Sequence, residues 1–430
     1  MKPAVHRLCL HLGVSGSQLN MNHDNAASSE SPLLDSQPRR GFLRTLALGT
    51  ALSPFATSPL ALSAAALEAK APPDYRGPNV ILIRFGGGVR RLESIDPQHT
   101  YAPYFCHELI RRGTLYPQMA IDSFSEIETS HGQGTLYLLT GRYDKYKDIQ
   151  GKFLGQRFEP RVPTLFEYLR KSYNIPSHQA LLINGEDRKD EEFYNFSNHT
   201  LYGVDFRSAT LSLHRFKAYL LRRQLSGSTL RDKEIASKRE ELQKLEALDY
   251  RTQGKDRQSP EIEHFWERWR EHYGETGLVN PRGDRLLTEL ALRSMEQLKP
   301  RLMMVNYNDP DYVHWGVASH YTRGITVIDE GIKQIVSAVD ADPHYRDNTI
   351  FVIVPDCGRD TNPFAPVPFQ HHFNSQSARE VFALILGPGI RRGVVVDRHV
   401  EHISVASTIG QLMGFKTHHA EGRVLEEAIA

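Results

Sequence analysis

Three cysteines in 430 residues are too few for a disulfide framework to hold the fold together. Net charge is also scarce. Against 52 basic residues stand 51 acidic ones, leaving +1, so the chain carries no electrostatic footprint of a nucleic-acid partner. The first apolar run is followed by Gly86-Gly87-Gly88 and not by a Gly-x-Gly-x-x-Gly spacing, which sets aside a dinucleotide fingerprint. The hydrophobic content of 40% is that of an ordinary globular protein, and the length allows one large α/β domain or two smaller ones.

The N-terminal segment has its own character. Arg39-Arg40-Gly41-Phe42-Leu43-Arg44 leads into a mildly apolar run at 45–66 that ends in Ala64-Ala65-Ala66. A basic region, a modest apolar region and a small-residue cleavage zone describe an export signal, and the paired arginines point to the twin-arginine route. Pro54, Pro59 and several Ser and Thr residues interrupt the apolar run, so a lasting transmembrane anchor is not expected after cleavage. Residues 1–20 fit poorly ahead of such a signal, and Met21 is the expected start. Residues 1–69 are therefore read as leader, and the mature protein as periplasmic or extracellular.

From residue 70 the chain alternates strand and helix. Residues 79–85 read as a first buried strand, followed by the three glycines and by Arg90 and Arg91, where an anionic substrate could be met. A helix is expected at 101–113 and a strand at 114–120. Thr129, Ser130 and His131 precede an apolar segment ending in Thr140-Gly141-Arg142. A hydroxyl there would feel the helix dipole and nearby amides, which favour an anionic nucleophile or substrate, and ordinary N-capping is compatible with that reading. Residues 70–205 are read as the first part of an α/β domain, and 206–298, charged and helical in pattern, as an insertion or cap. In that insertion, 233–248 is a solvated helix and 265–269 an amphipathic piece.

The second part of the domain, 299–430, carries the densest clusters. An apolar run at 302–305 suits a buried parallel strand, and Asp309, Asp311 and His314 follow it. Ligands gather at the carboxyl edge of such sheets, and oxygen with imidazole is a good set for a divalent metal. The plain alternative is an Asp-Pro-Asp turn with an incidental histidine. An amphipathic helix follows at 320–339. The strand at 349–354 ends in Asp356-Cys357-Gly358, His371 and His372 come later, a strand at 381–386 follows, and a helix closes the chain within 400–414.

This order of motifs resembles the alkaline phosphatase superfamily, in its sulfatase and phosphodiesterase-like branch. The similarity runs from residue 79 to the C-terminus, with 206–298 divergent. Thr140-Gly141-Arg142, Asp311/His314, Asp356-Cys357-Gly358 and His371/His372 stand in the family's order. The ending, 403–409 with Leu412-Met413-Gly414, is similar to its closing helix. The resemblance implies a mostly parallel sheet sandwiched by helices. It also implies metal ligands among Asp309, Asp311, His314, Asp356, Cys357, His371 and His372, with one or two divalent ions, zinc foremost. The nucleophile position falls on His131, beside Ser130 and Thr129.

Departures accompany the likeness. The family's first metal-binding aspartate is replaced by Gly86, its Asp-x-x-x-His is one residue shorter in Asp311-Tyr312-Val313-His314, and its Asp-His-Gly histidine has become Cys357. Two functions follow as expectations. One is an exported, metal-dependent hydrolase of phosphate or sulfate esters, with an anionic small molecule as partner. The other is a catalytically degenerate relative that binds or assembles, with one metal or none.

Overall fold

Asn79–Arg84 forms strand β1, and all six residues are buried. Ile81 and Ile83 enter one core cluster while Val80 and Leu82 enter another, so the period-two alternation of a strand feeds two apolar layers at once. The computed structural model describes residues 72–122, 127–144, 160–195, 201–227, 230–246, 259–278, 283–315, 317–360, 369–371 and 375–430. The twin-arginine segment, Met21 and His372 lie outside them. Residues 68–430 form one compact unit.

The sheet has nine strands. After β1 come β2 (Gly113–Ala120), β3 (Ala180–Ile183), β4 (Ala209–Leu211), β5 (Leu302–Asn306), β6 (Thr349–Val354), β7 (Glu380–Leu386), β8 (Val394–Val395) and β9 (Val400–Glu401). Their order is β4-β3-β5-β1-β6-β7-β2-β8, with β9 also beside β2. Only β7 runs antiparallel to its neighbours β6 and β2; every other pair is parallel. The mostly parallel sheet expected from the sequence is present.

Ten α-helices lie among the described residues: α1 (Arg91–Ser94), α2 (His131–Thr140), α3 (Leu165–Ser172), α4 (Leu213–Ser226), α5 (Asp232–Glu246), α6 (Pro260–Tyr273), α7 (Asp284–Gln297), α8 (Ala318–Ala341), α9 (Gln376–Arg379) and α10 (Ser404–Met413). Leu136 of α2, Phe166 of α3 and Ile409 of α10 join one core layer, and Leu290 of α7 with Ile325, Ile328 and Ile332 of α8 join the other. Helices on both faces explain why the central strands read as continuous apolar runs.

One expectation changes in detail. Residues 101–113 form a π-helical turn at Tyr104–Leu109 and a 3-10 turn at Ile110–Arg112 in place of a regular helix. The region 206–298 shares the core of the rest. β4 pairs with β3 in the sheet, and Phe265, Trp266 and Trp269 of α6 are buried in the same cluster as Ile81. The apolar stripe of α6 needed a partner, and Phe216 of α4 packs against its Trp266 within that cluster. α5 buries nothing, as its charge pattern suggested.

Candidate functional site

Parallel pairing sets Arg84, the last residue of β1, directly opposite Asn306 of β5 on one side and Val354 of β6 on the other. The carboxyl ends of these three strands therefore share one edge, and each delivers polar groups there. Asp311 and His314 lie in the 3-10 segment Asp309–Trp315 after β5, and Asp356 and Cys357 follow β6 directly. α2 brings His131 to the same edge. It can do so because Gly134 has no side chain: a Cβ there would stand 2.0 Å from the carbonyl oxygen of Asp356.

Three imidazoles converge on one oxygen. His131 Nε2 and His314 Nε2 each lie 2.9 Å from Asp311 Oδ1, and His371 Nε2 lies 3.3 Å from it. His314 Nε2 and His371 Nε2 are 3.1 Å apart. Four donors around a zinc ion at the usual bond length would stand roughly 3.3 Å from one another in a tetrahedron. On two rings the other nitrogen is tied back to oxygen: His131 Nδ1 is 2.6 Å from Asp356 Oδ2, and His371 Nδ1 is 3.1 Å from the carbonyl of Thr129, while His314 Nδ1 lies 3.1 Å from the side-chain amide nitrogen of Gln370. A Nδ1–H donated to oxygen leaves the Nε2 lone pair facing inward, as metal-binding histidines are held. His131 Nε2 is buried and makes no aligned hydrogen bond, despite its closeness to Asp311. A buried ring nitrogen 2.9 Å from a carboxylate oxygen, with two further imidazoles on the same oxygen, is a donor set that fits one divalent ion. Asp311, His314 and His371 form one of two possible ligand groups among the described residues, and His131, Cys357 and His371 form the other.

Electrostatics bind the cluster further. Burial works against a charged His131, but Asp311 and Asp356 outweigh it and hold its pKa well above that of an ordinary histidine. Burial likewise opposes ionisation of Asp311 and Asp356, yet His131 and its neighbours hold both carboxyls far below their usual range. Burial pushes the Cys357 thiol up, and Asp356 adds to it. Three guanidiniums also enter. Arg188 Nη2 lies 2.6 Å from Asp311 Oδ2, Arg359 Nη2 3.0 Å from Asp311 Oδ1, and Arg84 Nη1 3.5 Å from both Asp356 Oδ2 and Glu191 Oε2. Arg359 also donates to the carbonyls of Gly88 (2.7 Å), Gly87 and Phe369, which ties the turn after β1 to the loop that carries His371.

The structure places the remaining expected residues as follows. Thr129 is buried, and its hydroxyl donates to the carbonyl of His371. Ser130 caps α2, accepting the Gln133 N–H at 3.4 Å, and stays partly accessible. Arg90 is not turned to this edge: it forms an ion pair with Glu93 and lies over the rings of Phe369 and Tyr321. Arg91 donates to the carbonyls of Val381 and Met119. Both follow the sharp Gly86–Gly88 turn, whose positive φ at Gly87 and Gly88 redirects the chain before they arrive. Asp309 accepts the Asp284 N–H at 3.0 Å at the start of α7 and belongs to neither ligand group. Sequence reasoning did not single out Arg84, Arg188, Glu191 and Arg359. One signal was available: Arg84 is the only charged residue in an otherwise uncharged buried strand.

The same architecture is found in solved structures. A protein in the alkaline phosphatase superfamily from Vibrio parahaemolyticus matches at TM-score 0.51 and 14% identity, covering 83% of this chain and 71% of that one. Wild-type alkaline phosphatase PafA matches at TM-score 0.51 and 10% identity, covering 83% of this chain and 99% of that one. Neither a family model nor a curated protein matches the sequence. At these identities the likeness is one of fold: the chain has the alkaline-phosphatase-like architecture that the order of its motifs implied.

Proposed function

We propose that this protein is a hydrolase of phosphate or sulfate esters that works with one divalent ion, zinc by the chemistry of its donors. The observation that carries the reading is the convergence of His131, His314 and His371 on Asp311 Oδ1. When bound, the ion supplies Lewis-acid polarisation of an ester oxygen. The chain's own residues do the rest. Asp356 fixes the His131 ring through Nδ1, and Thr129 does the same for His371 through its backbone carbonyl. Arg188 holds Asp311 through Oδ2, and Arg359 donates to the same Oδ1 that the imidazoles approach. Ser130, at the N-terminus of α2 and partly accessible, is the hydroxyl placed to attack, with the helix dipole favouring its anionic form.

The test is a panel of aryl phosphates, phosphodiesters and aryl sulfates with zinc-loaded protein, run beside Ser130→Ala and Asp311→Asn. Turnover of at least one class is expected, lost about 100-fold or more in both variants. Turnover untouched by Ser130→Ala removes that residue from the role, and silence across the panel removes the hydrolase.

A second reading, a binding protein without turnover, has its own support. Asp311, Asp356 and Glu191 are already matched by Arg188, Arg359 and Arg84, so the carboxylates have cations before any ion arrives. Silence of the panel together with retained zinc would favour it.

We also propose twin-arginine export, on the strength of residues 39–66. Replacing Arg39 and Arg40 by Lys is expected to leave the protein in the cytoplasmic fraction. Continued appearance in the periplasmic fraction counts against that route.

A further inference from the structure

We infer that Arg84 is the built-in cation of the Asp356–Cys357 side, standing where a second divalent ion would be needed, so that the chain takes one ion and not two. The inference rests on the one-ion reading of the Asp311 side and concerns the neighbouring group.

Arg84 is fully buried. A buried guanidinium is tolerated only when it is paired and hydrogen-bonded, and this one has four hydrogen-bond acceptors and an ion pair with Asp356. Thr135 Oγ1 lies at 2.9 Å, the Tyr307 carbonyl and Asn308 Oδ1 at 3.2 Å, and Asp356 Oδ2 and Glu191 Oε2 at 3.5 Å. The carboxylate that a second ion would need is used up. Asp356 Oδ2 meets both His131 Nδ1 and Arg84, while Asp356 Oδ1 accepts the backbone N–H groups of Cys357 at 3.0 Å and Gly88 at 3.4 Å. A carboxylate offers about four lone-pair positions; three hydrogen bonds and the Arg84 ion pair occupy this one.

The missing first-strand carboxylate points the same way. A Cβ on Gly86 would stand 2.0 Å from the Tyr307 carbonyl oxygen and 2.6 Å from Arg84 Nε. The Tyr307 backbone carbonyl alone leaves no room for a side chain at this position, so no carboxylate can be supplied from it, and Arg84 Nε lies in the same space. A divalent ion beside Cys357 and Asp356 would face the Arg84 guanidinium in a dry interior with His131 Nδ1 already given to Asp356, whereas on the Asp311 side three Nε2 atoms converge against the Arg359 guanidinium. That leaves Cys357, 3.8 Å from His131 Nδ1, as a packed thiol and not a ligand.

The experiment is zinc stoichiometry on the full chain, stripped with chelator and then titrated with zinc alone, read by native mass spectrometry. Wild type is expected to hold one equivalent, and Cys357→Ser to hold the same one. Arg84→Met, which removes the charge and keeps the bulk, is expected to accept a second, weaker equivalent. Two equivalents in wild type overturn the inference and leave the Asp311 ion standing. Loss of the ion in Cys357→Ser overturns it too, because the ion then sits on the Arg84 side. A folded Arg84→Met that stops at one equivalent shows that the arginine is not what excludes the second, which also overturns it. No zinc in wild type instead removes the Asp311 site on which the inference rests, and the inference falls with it. Should Arg84→Met fail to fold, wild type and Cys357→Ser still decide the matter.

Discussion

Asp311 and Asp356 are both buried carboxylates that follow parallel strands flanking β1, and both touch His131, yet their surroundings differ in kind. Around Asp311 Oδ1 stand three imidazoles, whose Nε2 atoms can exchange a proton for a metal ion. Around Asp356 stand a guanidinium that cannot be deprotonated, two backbone amides and the Nδ1 of a ring whose other nitrogen is turned to Asp311. Both sides carry a fixed guanidinium, but the Asp311 side sets three exchangeable imidazoles beside its arginines, whereas the Asp356 side has only the shared His131. Fold likeness alone would treat the two as equivalent, and the side chains show that they are not.

The sharpest way to break this comparison is to remove the guanidinium of the Asp356 side. Arg84→Met leaves Asp356 and Glu191 buried without their guanidinium and should cost about 3–5 kcal/mol, the range for stripping one partner from a buried ion pair. Urea unfolding measures it, with the slope against denaturant unchanged. Arg188 is partly exposed, and its partner Asp311 keeps Arg359, so Arg188→Met should cost clearly less. Equal losses for the two would mean that the guanidiniums do not distinguish the sides.

A second histidine sharpens the same contrast. His402 lies behind the Asp356 side, fully buried, with Nε2 2.9 Å from the Pro355 carbonyl and Nδ1 without a partner. Burial pushes its pKa from the ordinary 6.5 down to about 4, opposite in direction to His131. Between those values the unfolded chain binds more protons than the folded one. Stability is therefore full above about pH 6.5 and falls as pH drops toward 4, by about 3 kcal/mol from this residue. The difference between wild type and His402→Gln, followed by urea unfolding from pH 7 to pH 4, should show that slope. A flat difference would mean that His402 does not stay neutral in the folded protein.

Much of this was legible in the sequence, and the missing parts have physical causes. Strands β1, β5 and β6 announce themselves because a parallel sheet covered on both faces leaves uninterrupted apolar runs, and the polar residues beyond each run mark the shared edge. Asp311, His314, Asp356 and His371 could be found that way. Glu191 and Arg188 could not, since their segment, Glu186–Asn195, is charged in the manner of any solvated stretch and reaches the site only through tertiary placement. Arg90 and Arg91 looked suited to an anion because they follow glycines. The turn those glycines make, which sends Arg90 to Glu93 and Arg91 to Val381, is a property of φ and not of composition. The region 206–298 read, from its charged and helical pattern, as an insertion or cap beside the sheet. The apolar side of α6, four buried residues among fourteen, was the weaker signal and the one that decided where it sits.

The finest test lies in the one residue that the two sides share. His131 joins Asp311 through Nε2 and Asp356 through Nδ1, so if the ion belongs to the Asp311 side, Asp356 acts on it only through the orientation and basicity of this ring. Asp356→Asn keeps the size and the backbone hydrogen bonds but offers a weaker acceptor to Nδ1–H. Removing such an outer partner typically weakens metal binding about 10–100-fold. Zinc affinity measured by competition with a chelator should fall by that factor while the stoichiometry stays at one, whereas Asp311→Asn should remove the ion altogether. An unchanged affinity would show that Asp356 does not orient the ring. Complete loss of zinc in Asp356→Asn would make it a ligand, and the division between the two sides would have to be drawn elsewhere.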